Sequence, residues 1–250
     1  MSLPLIDAKS LQLKVPIFQP EDRNMLANPT SFLTDLYFSK TQRGIVTLLE
    51  DVSFSLMQGE RLGIVGANGA GKSTLLRLLA GIYQPSEGLL NINGVAKGLF
   101  DISMGMNNEA TGLENIYMRG LLMGMPVQQI RDLLPEILEF SELKEAIDKP
   151  LNTYSTGMRL RLAFSVATMI EPDILLLDEW IGTGDASFRG KVKKRMDDLV
   201  EKSRGLVLAT HNTSLMKELC THGLYLKKGK IAFYGKVEEA LEFYSDDLKK

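Results

Sequence analysis

The sequence predicts an α/β fold built on a mostly parallel sheet with a helical insertion. Two continuous apolar runs, 174–177 and 206–209, have the composition of strands buried on both faces of a sheet. Predicted strands alternate with predicted helices, which is typical of parallel sheets. A glycine-rich segment, 66–74, joins an apolar strand to a leucine-rich helix. Together these observations indicate a ligand site at the edge of the sheet where the strands end.

The first part of the chain contains short strands and one long polar segment. Residues 10–17 are predicted as an edge strand that ends at Pro16 and Pro20. The following segment, 21–44, is polar and irregular apart from an aromatic-rich stretch. The remaining elements predicted before the helical region are a helix at 73–80 and strands at 52–56, 62–65, 89–92 and 98–102. The last two strands flank an Asn93-Gly94 turn.

From residue 111 to residue 170 the pattern becomes mostly helical, and it then returns to alternating strands and helices. The elements predicted here are helices at 113–123, 127–140 and 155–170, strands at 174–177 and 206–209, a hairpin of 224–226 and 231–233 around Lys228-Gly229, and a last helix at 237–247.

Composition excludes several classes of protein. The chain has 250 residues, of which 44% are hydrophobic, enough for a substantial core. Its formal net charge of -2 gives no support to a nucleic-acid-binding surface, so we expect no nucleic-acid partner. The single cysteine, Cys220, fits a reducing compartment. No apolar run approaches about 18 residues and no signal-peptide layout is present, so we expect a chain soluble by itself that acts on membranes through a partner.

The segment 66–74 fits the phosphate-binding pattern G-x-x-x-x-G-K-[ST] at every fixed position. Glycines let the backbone wrap closely around a polyphosphate, and successive N–H groups then form an anion-binding concavity. Lys72 is predicted to reach the terminal phosphates, and the Ser73 hydroxyl to join a Mg²⁺ shell. The complete pattern disfavours a chance glycine turn. The predicted nucleotide-binding residues of this loop are Gly66, Ala67, Asn68, Gly69, Ala70, Gly71, Lys72, Ser73 and Thr74.

Two acidic residues, Asp178 and Glu179, follow an apolar strand at the edge of the sheet where ligands bind. One carboxylate, Asp178, would hold Mg²⁺, and Glu179 would polarise the attacking water as a general base. His211 follows the strand 206–209, where a histidine can sense or stabilise a terminal phosphate. Taken alone, these residues would be solvated acids and a surface histidine, and only their order beside the phosphate-binding loop favours the functional interpretation.

A third motif, 154–158, precedes a helix that carries Arg159 and Arg161 in its early turns. Ser155 is suited to the N-cap of that helix. An exposed helix N-terminus with a hydroxyl and the Gly157 N–H would form a second anion site. Taken alone, this segment would be an ordinary helix cap.

In chain order, these motifs resemble the ATP-binding subunit of ABC transporters. Segment 66–74 matches the family's Walker A loop, 154–158 stands at its Leu-Ser-Gly-Gly-Gln signature, and 174–179 matches Walker B with the catalytic glutamate. Asp185 occupies the D-loop place and His211 that of the switch histidine. The resemblance implies a P-loop NTPase fold of the ABC type, with a mostly parallel core sheet, an antiparallel β subdomain and a helical subdomain.

A narrower resemblance points to one subgroup. Segments 101–115, 154–158 and 178–186 look like those of exporters of bacterial cell-surface polysaccharides. O-antigen exporters of Gram-negative bacteria are the nearest case, and capsule and teichoic-acid exporters are more distant ones. The N-terminal strand around Pro16 and the segment after it also look like that group.

Three departures from the general ABC pattern stand out. Thr156 and Met158 replace a glycine and the glutamine of the signature. No glutamine lies between Gly94 and Glu114, where the Q-loop residue would fall. No aromatic residue sits just before Leu49 to stack on adenine, which leaves Tyr37 or Phe38 as upstream alternatives. The first two departures are common in the polysaccharide-export subgroup and therefore agree with it.

The resemblance implies a homodimer with two composite ATP sites, in which ATP and Mg²⁺ are the ligands. Lys72, Glu179 and His211 would be the catalytic residues. Ser73 and Asp178 would be the Mg²⁺ ligands. The further nucleotide-contacting residues would be Ser155 and Gly157 from the opposite protomer, and Asp185.

The resemblance also implies partners and a location. Two copies of a polytopic membrane permease would handle the lipid-linked polysaccharide, and the ATPase would be peripheral on the cytoplasmic face of the bacterial inner membrane. The expected divisions are an N-terminal segment 1–48, an ATP-binding core 49–106 with 171–235, a helical subdomain 107–170 that receives the permease, and a C-terminal helix 236–250. Some O-antigen exporters carry an added carbohydrate-binding domain, for which we expect no room after Lys250.

Several alternatives stay open. The chain could be a soluble ABC ATPase that assembles or remodels a complex without transport. A nucleotide-gated module that barely hydrolyses ATP is disfavoured by the intact Glu179 and His211. Methionines around the helical region would serve either as core or as an adaptable contact surface. The aromatic stretch 32–38 would pack on the sheet or face the membrane, and the basic run 191–195 is expected to be a solvated helix face.

Overall fold

The computed structural model describes residues 3–19, 42–100, 102–103, 105–179 and 186–249. Its centre is a six-stranded sheet in the order β5-β6-β7-β3-β8-β9. The first five strands in that order are parallel, and β9 runs antiparallel to β8. This confirms the mostly parallel sheet. Its strands are β3 Arg61–Val65, β5 Ala96–Gly98, β6 Ile174–Asp178, β7 Gly205–Ala209, β8 His222–Lys227 and β9 Lys230–Lys236.

A second, three-stranded sheet has the order β2-β1-β4 and is antiparallel. Its strands are β1 Ile6–Gln19, β2 Gln42–Leu56 and β4 Glu87–Ile92. The prediction of an edge strand at 10–17 that ends at Pro16 and Pro20 was wrong about the edge and about Pro16, because β1 is the central strand and passes Pro16 to end at Gln19, directly before Pro20. Pairing with β4 stops at Gln12, so among the described residues Pro16 has a partner strand on one side only, where it lies opposite Ile45 of β2.

The Asn93-Gly94 turn carries the chain from one sheet to the other. β4 pairs with β1 in the antiparallel sheet, whereas β5 pairs with β6 in the parallel sheet. The Asn93 side chain donates to the Pro4 carbonyl at 2.6 Å, and the Val95 N–H donates to Asp173 at 2.8 Å. The turn is therefore fixed by contacts to both sheets, and the strand predicted at 98–102 lies earlier, at β5.

The five helices predicted from the sequence occur close to their predicted positions, and two further helices, Ala186–Lys202 and Thr213–Leu219, had no predicted range. The fourth helix ends at Ala167, three residues before its predicted end, and the Thr168 hydroxyl donates to the Phe164 carbonyl there. The helices are α1 Lys72–Leu79, α2 Gly112–Leu122, α3 Val127–Ser141, α4 Thr156–Ala167, α5 Ala186–Lys202, α6 Thr213–Leu219 and α7 Val237–Leu248.

Apolar side chains bury both faces of the parallel sheet. In β6, Ile174 and Leu176 join a core shared with α1 and the antiparallel sheet. Leu175 and Leu177 face the opposite way, into a core formed with α4, α5, α6 and α7. The continuous apolar composition of 174–177 is explained by this two-sided burial.

Helices α2, α3 and α4 share a third core of their own, which includes Ile116, Ile130 and Leu162. Met125 is buried in it and Met106 and Met123 pack against it, so these methionines serve as core residues. The prediction of a separate helical part is consistent with this independent cluster.

Side chains from α5 hold the helical part against the rest of the molecule. Glu142, at the end of α3, accepts hydrogen bonds from Arg161 at 2.7 Å and from Lys191 at 2.6 Å. Arg195 binds Glu136 at 2.5 Å. The basic run 191–195 is therefore not simply a solvated face, because two of its cations contact the acidic residues of α3.

Among the described residues, no helix combines the length and the apolar content that crossing a membrane requires.

Candidate active site

The loop 66–71 runs from the end of β3 to the start of α1, as its sequence predicts. Gly69 and Gly71 have φ angles of 77° and 109°, in the region that favours glycine. A Cβ at Gly66 would lie 2.3 Å from the backbone oxygen of Leu226, so close packing demands glycine there. Residues Ala67 and Asn68 are exposed at the crest of the loop. The loop therefore presents backbone N–H groups and a helix N-terminus at one accessible concavity.

The β8–β9 turn supports this loop from behind. The Gly229 N–H donates to the Ala70 carbonyl at 2.9 Å, and the Gly229 carbonyl accepts from the Glu50 N–H at 2.9 Å. These two bonds connect the loop to the antiparallel sheet through the hairpin turn.

Lys72 folds back over the loop that precedes it. Its side-chain amine donates to the carbonyls of Gly66 at 2.7 Å and Ala67 at 3.1 Å, and the residue is only 8% exposed. Burial lowers the pKa of the Lys72 amine, while the charges of Asp178 and Glu179 oppose that shift. The amine and the two carboxylates are therefore close enough to interact electrostatically, as a shared site for phosphates and a cation requires.

The two acids sit at the end of β6, as predicted. Asp178 is half-buried and Glu179 is exposed, with a φ of 70° that side-chain-bearing residues rarely adopt. The Glu179 N–H donates to the Ala209 carbonyl at 2.8 Å. Because β7 lies between β6 and β3, the ends of all three strands meet beside the phosphate-binding loop.

The Glu179 carboxylate is held by the segment that follows β7. One oxygen accepts from the backbone N–H of His211 at 3.0 Å, and the other accepts from the Thr210 hydroxyl at 3.0 Å. The structure thus brings Glu179 and His211 together. Sequence reasoning missed Thr210, although a hydroxyl residue between an apolar strand and a histidine at the ligand edge was a usable signal.

The predicted N-cap at Ser155 is present. Its hydroxyl oxygen accepts from the Met158 N–H at 3.2 Å, and Ser155 and Gly157 are both exposed at the start of α4. Tyr154 is buried, and its hydroxyl donates to the Ala146 carbonyl at 2.6 Å. The start of α4 is therefore anchored to the loop after α3, and its outer turn stays accessible.

A cavity of about 1040 Å³ adjoins the start of α4. Its lining includes Leu134, Leu138 and Leu143 together with Ser155 and Gly157, and none of the phosphate-binding loop. Ser155 and Gly157 thus line a cavity of the helical part.

Asn115 organises the loop that precedes α2. This fully buried side chain accepts from the Asn107 N–H at 2.7 Å and donates to the carbonyls of Asn107, Ala110 and Thr111 at 2.8–3.2 Å. The same loop pairs with the segment before Tyr154. The end of the region where the Q-loop glutamine would fall, 107–111, is therefore hydrogen-bonded to the segment that leads into α4. Sequence reasoning did not predict this contact.

Several predicted residues lie outside the described part of the chain. They are Asp185, the adenine-stacking candidates Tyr37 and Phe38, the aromatic stretch 32–38, and parts of the segments 101–115 and 178–186.

A family model described as ABC transporter matches residues 49–182, more than half of the chain. The chain belongs to the ABC transporter family. The family resemblance predicted from the motifs is thereby confirmed, and the matched region contains the phosphate-binding loop, the start of α4 and both acids of β6.

Two curated relatives are named as ATP-binding proteins of export systems. The chain is 46% identical over 186 residues to an O-antigen export system ATP-binding protein of Yersinia enterocolitica, covering 74% of this chain and 78% of that protein. It is 38% identical over 222 residues to a teichoic acids export ATP-binding protein of Bacillus anthracis, covering 89% of this chain and 40% of that protein. The chain thus spans about two fifths of the length of the teichoic acids export relative.

Solved structures show the same fold. An ATP-binding subunit of an ABC transporter superposes with a TM-score of 0.69 at 21% identity, covering 98% of this chain and 100% of that chain. A dimeric ATP-binding cassette in a post-hydrolysis state, bound to ADP and Pi, gives a TM-score of 0.65 at 20% identity, covering 93% and 98%. The predicted ABC-type fold class is confirmed.

Proposed function

We propose that this chain hydrolyses ATP to power export of a lipid-linked, O-antigen-like cell-surface polysaccharide. The observation that carries the ATPase proposal is the arrangement beside the ends of β3, β6 and β7, where Lys72 interacts with the charge of Glu179 and the backbone N–H of His211 donates to the Glu179 carboxylate. The names of the relatives support the class of cargo.

The residues at the strand ends divide the work of hydrolysis between them. Backbone N–H groups of 66–74 would bind the phosphates, with Lys72 leaving its carbonyl partners to reach the terminal ones. The Glu179 carboxylate would accept the proton of the attacking water, and His211 would contact the γ-phosphate. Such a base typically contributes about 10²–10⁴-fold in rate.

Magnesium fits the donor set at this site. The Ser73 hydroxyl and the Asp178 carboxylate are oxygen donors, which Mg²⁺ prefers, and they lie at adjoining elements of the site. When bound there, Mg²⁺ would neutralise phosphate charge.

We infer that two copies of the chain form composite ATP sites. The exposed start of α4, with Ser155 and Gly157, lies in the helical part and lines a cavity whose lining includes no residue of the phosphate-binding loop. A second protomer would supply this surface to ATP held on 66–74, with Asp185 at the junction. Charge on ATP would favour the closed dimer, and hydrolysis would release it.

We further propose that the dimer acts on the cytoplasmic face of the bacterial inner membrane with two copies of a polytopic permease. The ATP-binding core would comprise 49–106 and 171–235, and the helical part 107–170 would receive the permease. The N-terminal segment 1–48 and the C-terminal helix 236–250 complete this division.

Hydrolysis is tested first, by the Glu179→Gln variant. We expect it to retain ATP binding and lose steady-state phosphate release, because an amide cannot take the proton from water. The exposed Glu218→Gln variant on α6 is the matched control and should behave as wild type. Normal turnover in Glu179→Gln would refute the assigned base.

The composite site is tested by crosslinking. Cysteines at Ala67 and Ser155 in a Cys220-free background should crosslink between protomers when ATP is trapped. Crosslinks confined to one chain would contradict the paired arrangement.

Transport is tested by reconstitution with the permease in vesicles. ATP-dependent movement of a lipid-linked polysaccharide is the expected result. If the protein hydrolyses ATP but neither transports polysaccharide nor co-purifies with a membrane protein, the result would favour a soluble ATPase that remodels a complex.

A further inference from the structure

We propose that Thr210 is a positioning residue for Glu179, and that it fixes the carboxylate of the base to the chain segment that carries His211. This inference rests on the proposed ATP hydrolysis. Thr210 would act through Glu179, without contacting the reacting phosphate itself.

The geometry holds both oxygens of one carboxylate from two consecutive residues. Thr210 Oγ1 lies 3.0 Å from Glu179 Oε2, and the His211 N–H lies 3.0 Å from Glu179 Oε1. A carboxylate bonded through one oxygen can still swing about that bond. Two donors on opposite oxygens fix both its position and the orientation of its plane, which sets where its remaining lone pairs point.

The direction of the Thr210 hydroxyl bond is determined by a neighbour. Thr210 Oγ1 also lies 3.0 Å from the backbone N–H of Asn212, which can only donate. The oxygen therefore accepts from Asn212, and its single proton is free to donate to Glu179. Thr210 is 2% exposed, so packing holds this donor in place although the Glu179 carboxylate itself is exposed.

The position of Thr210 relative to the phosphate-binding strand is also fixed. Its backbone N–H is directed at the Ile64 carbonyl of β3 at 3.4 Å, and it follows Ala209, whose carbonyl accepts from the Glu179 N–H at 2.8 Å. Glu179 thus makes three hydrogen bonds with residues 209–211. These bonds account for how Glu179 keeps its unfavourable φ of 70°.

Thr210 also supports the turn into α6 through Asn212, so a structural role and a positioning role need separate readouts. A purely structural role would change stability and every kinetic constant together. A positioning role changes the chemical step and leaves nucleotide binding intact, because only the orientation of the base is lost.

The test compares Thr210→Val with Thr210→Ser in the complete chain. Thr210→Val keeps the branched shape and removes the hydroxyl, and we expect kcat for ATP hydrolysis to fall about tenfold or more, since misplacing a catalytic group by about 1 Å can cost about 100-fold. KM and ATP affinity should stay within about twofold of wild type. Thr210→Ser restores the donor and should recover kcat to within about threefold.

Two further variants separate positioning from folding. Asn212→Ala removes the side-chain cap that accepts from the Leu215 N–H at 3.0 Å, and so loosens the start of α6 without touching Glu179. Its kcat should stay within about twofold of wild type. In a Glu179→Gln background, single-turnover hydrolysis should change less than about twofold on adding Thr210→Val, because the carboxylate that Thr210 orients is already absent.

Three results would overturn the proposal: unchanged kcat in Thr210→Val, a Thr210→Ser variant as slow as Thr210→Val, or an equal fall in the Glu179→Gln background. Failure of the proposed function looks different. It would appear as wild-type protein whose turnover, with or without permease, is absent or insensitive to Glu179→Gln.

Discussion

Lys72 illustrates how a single side chain prepares a phosphate site. Its amine is buried and donates hydrogen bonds to two carbonyls of its own loop, whereas the sequence predicts that this amine binds phosphates. Carbonyl oxygens carry only partial charge, so phosphate oxygens would be stronger acceptors for the same amine. The folded-back amine is thus a preorganised donor whose partners are exchangeable.

Lys72→Ala should weaken ATP binding by about tenfold or more, because one charged contact to phosphate is lost. Equilibrium titration with a fluorescent ATP analogue measures this. Lys193→Ala, an exposed lysine on α5, is the control and should bind normally. Unchanged affinity in Lys72→Ala would count against the loop assignment.

Cys220 offers a second prediction at this scale. Burial raises the pKa of its thiol to about 12, and the charge of Arg61 opposes the shift only in part. At pH 8 about one molecule in ten thousand would carry the reactive thiolate. We expect the native protein to resist a thiol reagent at pH 8 and to react fully once unfolded in guanidinium. Rapid labelling of the native protein would contradict the buried, protonated thiol.

At the scale of elements, the loop before α2 is held by one side chain. Asn115 makes four hydrogen bonds to backbone groups of 107–111 while fully buried. That loop in turn bonds to the segment before α4, since the N–H groups of Leu151 and Asn152 donate to its carbonyls at 3.0 and 2.8 Å. The start of α4 therefore depends on a residue of α2.

Asn115→Ala should lower the free energy of unfolding by about 2–4 kcal/mol, because several buried backbone groups lose their partner. Urea denaturation followed by circular dichroism provides the measurement. Asn152→Ala is the matched control, since this exposed amide makes one long bond of 3.3 Å to Glu109. Its effect should stay below about 0.5 kcal/mol. A decrease in the free energy of unfolding of less than about 1 kcal/mol in Asn115→Ala would show that the loop is stable without the hydrogen bonds of the Asn115 side chain.

Elements with a local cause were predictable from the sequence. The run 174–177 is apolar because both of its faces are covered, and the turn at Lys228-Gly229 forms a hairpin as its sequence indicates. The pairing of β4 and β5 with different sheets was not predictable, because Asn93-Gly94 permits a turn and says nothing about the partners of each strand. For Thr210, the residue type shows a polar group, but its partner Glu179 comes from another strand end, 31 residues away in the chain. The partners of Asn115 are close in sequence, but the residue type does not show that its side chain turns back into the preceding loop.

At the scale of the whole molecule, the main feature is that the phosphate-binding loop and the start of α4 belong to different parts of the fold. The phosphate-binding loop and the three strand ends form one surface of the sheet, and the start of α4 belongs to the helical part with its own core. Ion pairs of Lys191 with Glu142 and of Arg195 with Glu136 connect the helical part to α5. These pairs are partly exposed, so each contributes about 0–1 kcal/mol and permits adjustment between the two parts.

Glu179→Gln should sediment as a dimer with ATP and as a monomer with ADP, because the uncleaved nucleotide bridges two protomers. Analytical ultracentrifugation distinguishes the two species. Adding Lys72→Ala to the same chain should restore the monomer by removing nucleotide binding. A monomer under every nucleotide condition would contradict the composite site.

The β8–β9 turn gives the molecule an internal reporter. The Gly229 amide touches the back of the phosphate-binding loop through Ala70, and its carbonyl touches the antiparallel sheet through Glu50. Movement of the loop changes the length of the first bond, and amide chemical shifts respond to such changes. The ¹⁵N resonance of Gly229 should therefore shift on nucleotide binding although Gly229 lies outside the nucleotide-binding residues. Nucleotide binding to the loop then becomes visible by NMR in the ¹⁵N-labelled wild-type protein, without a label on the nucleotide. The signal comes from a residue outside the predicted nucleotide-binding set.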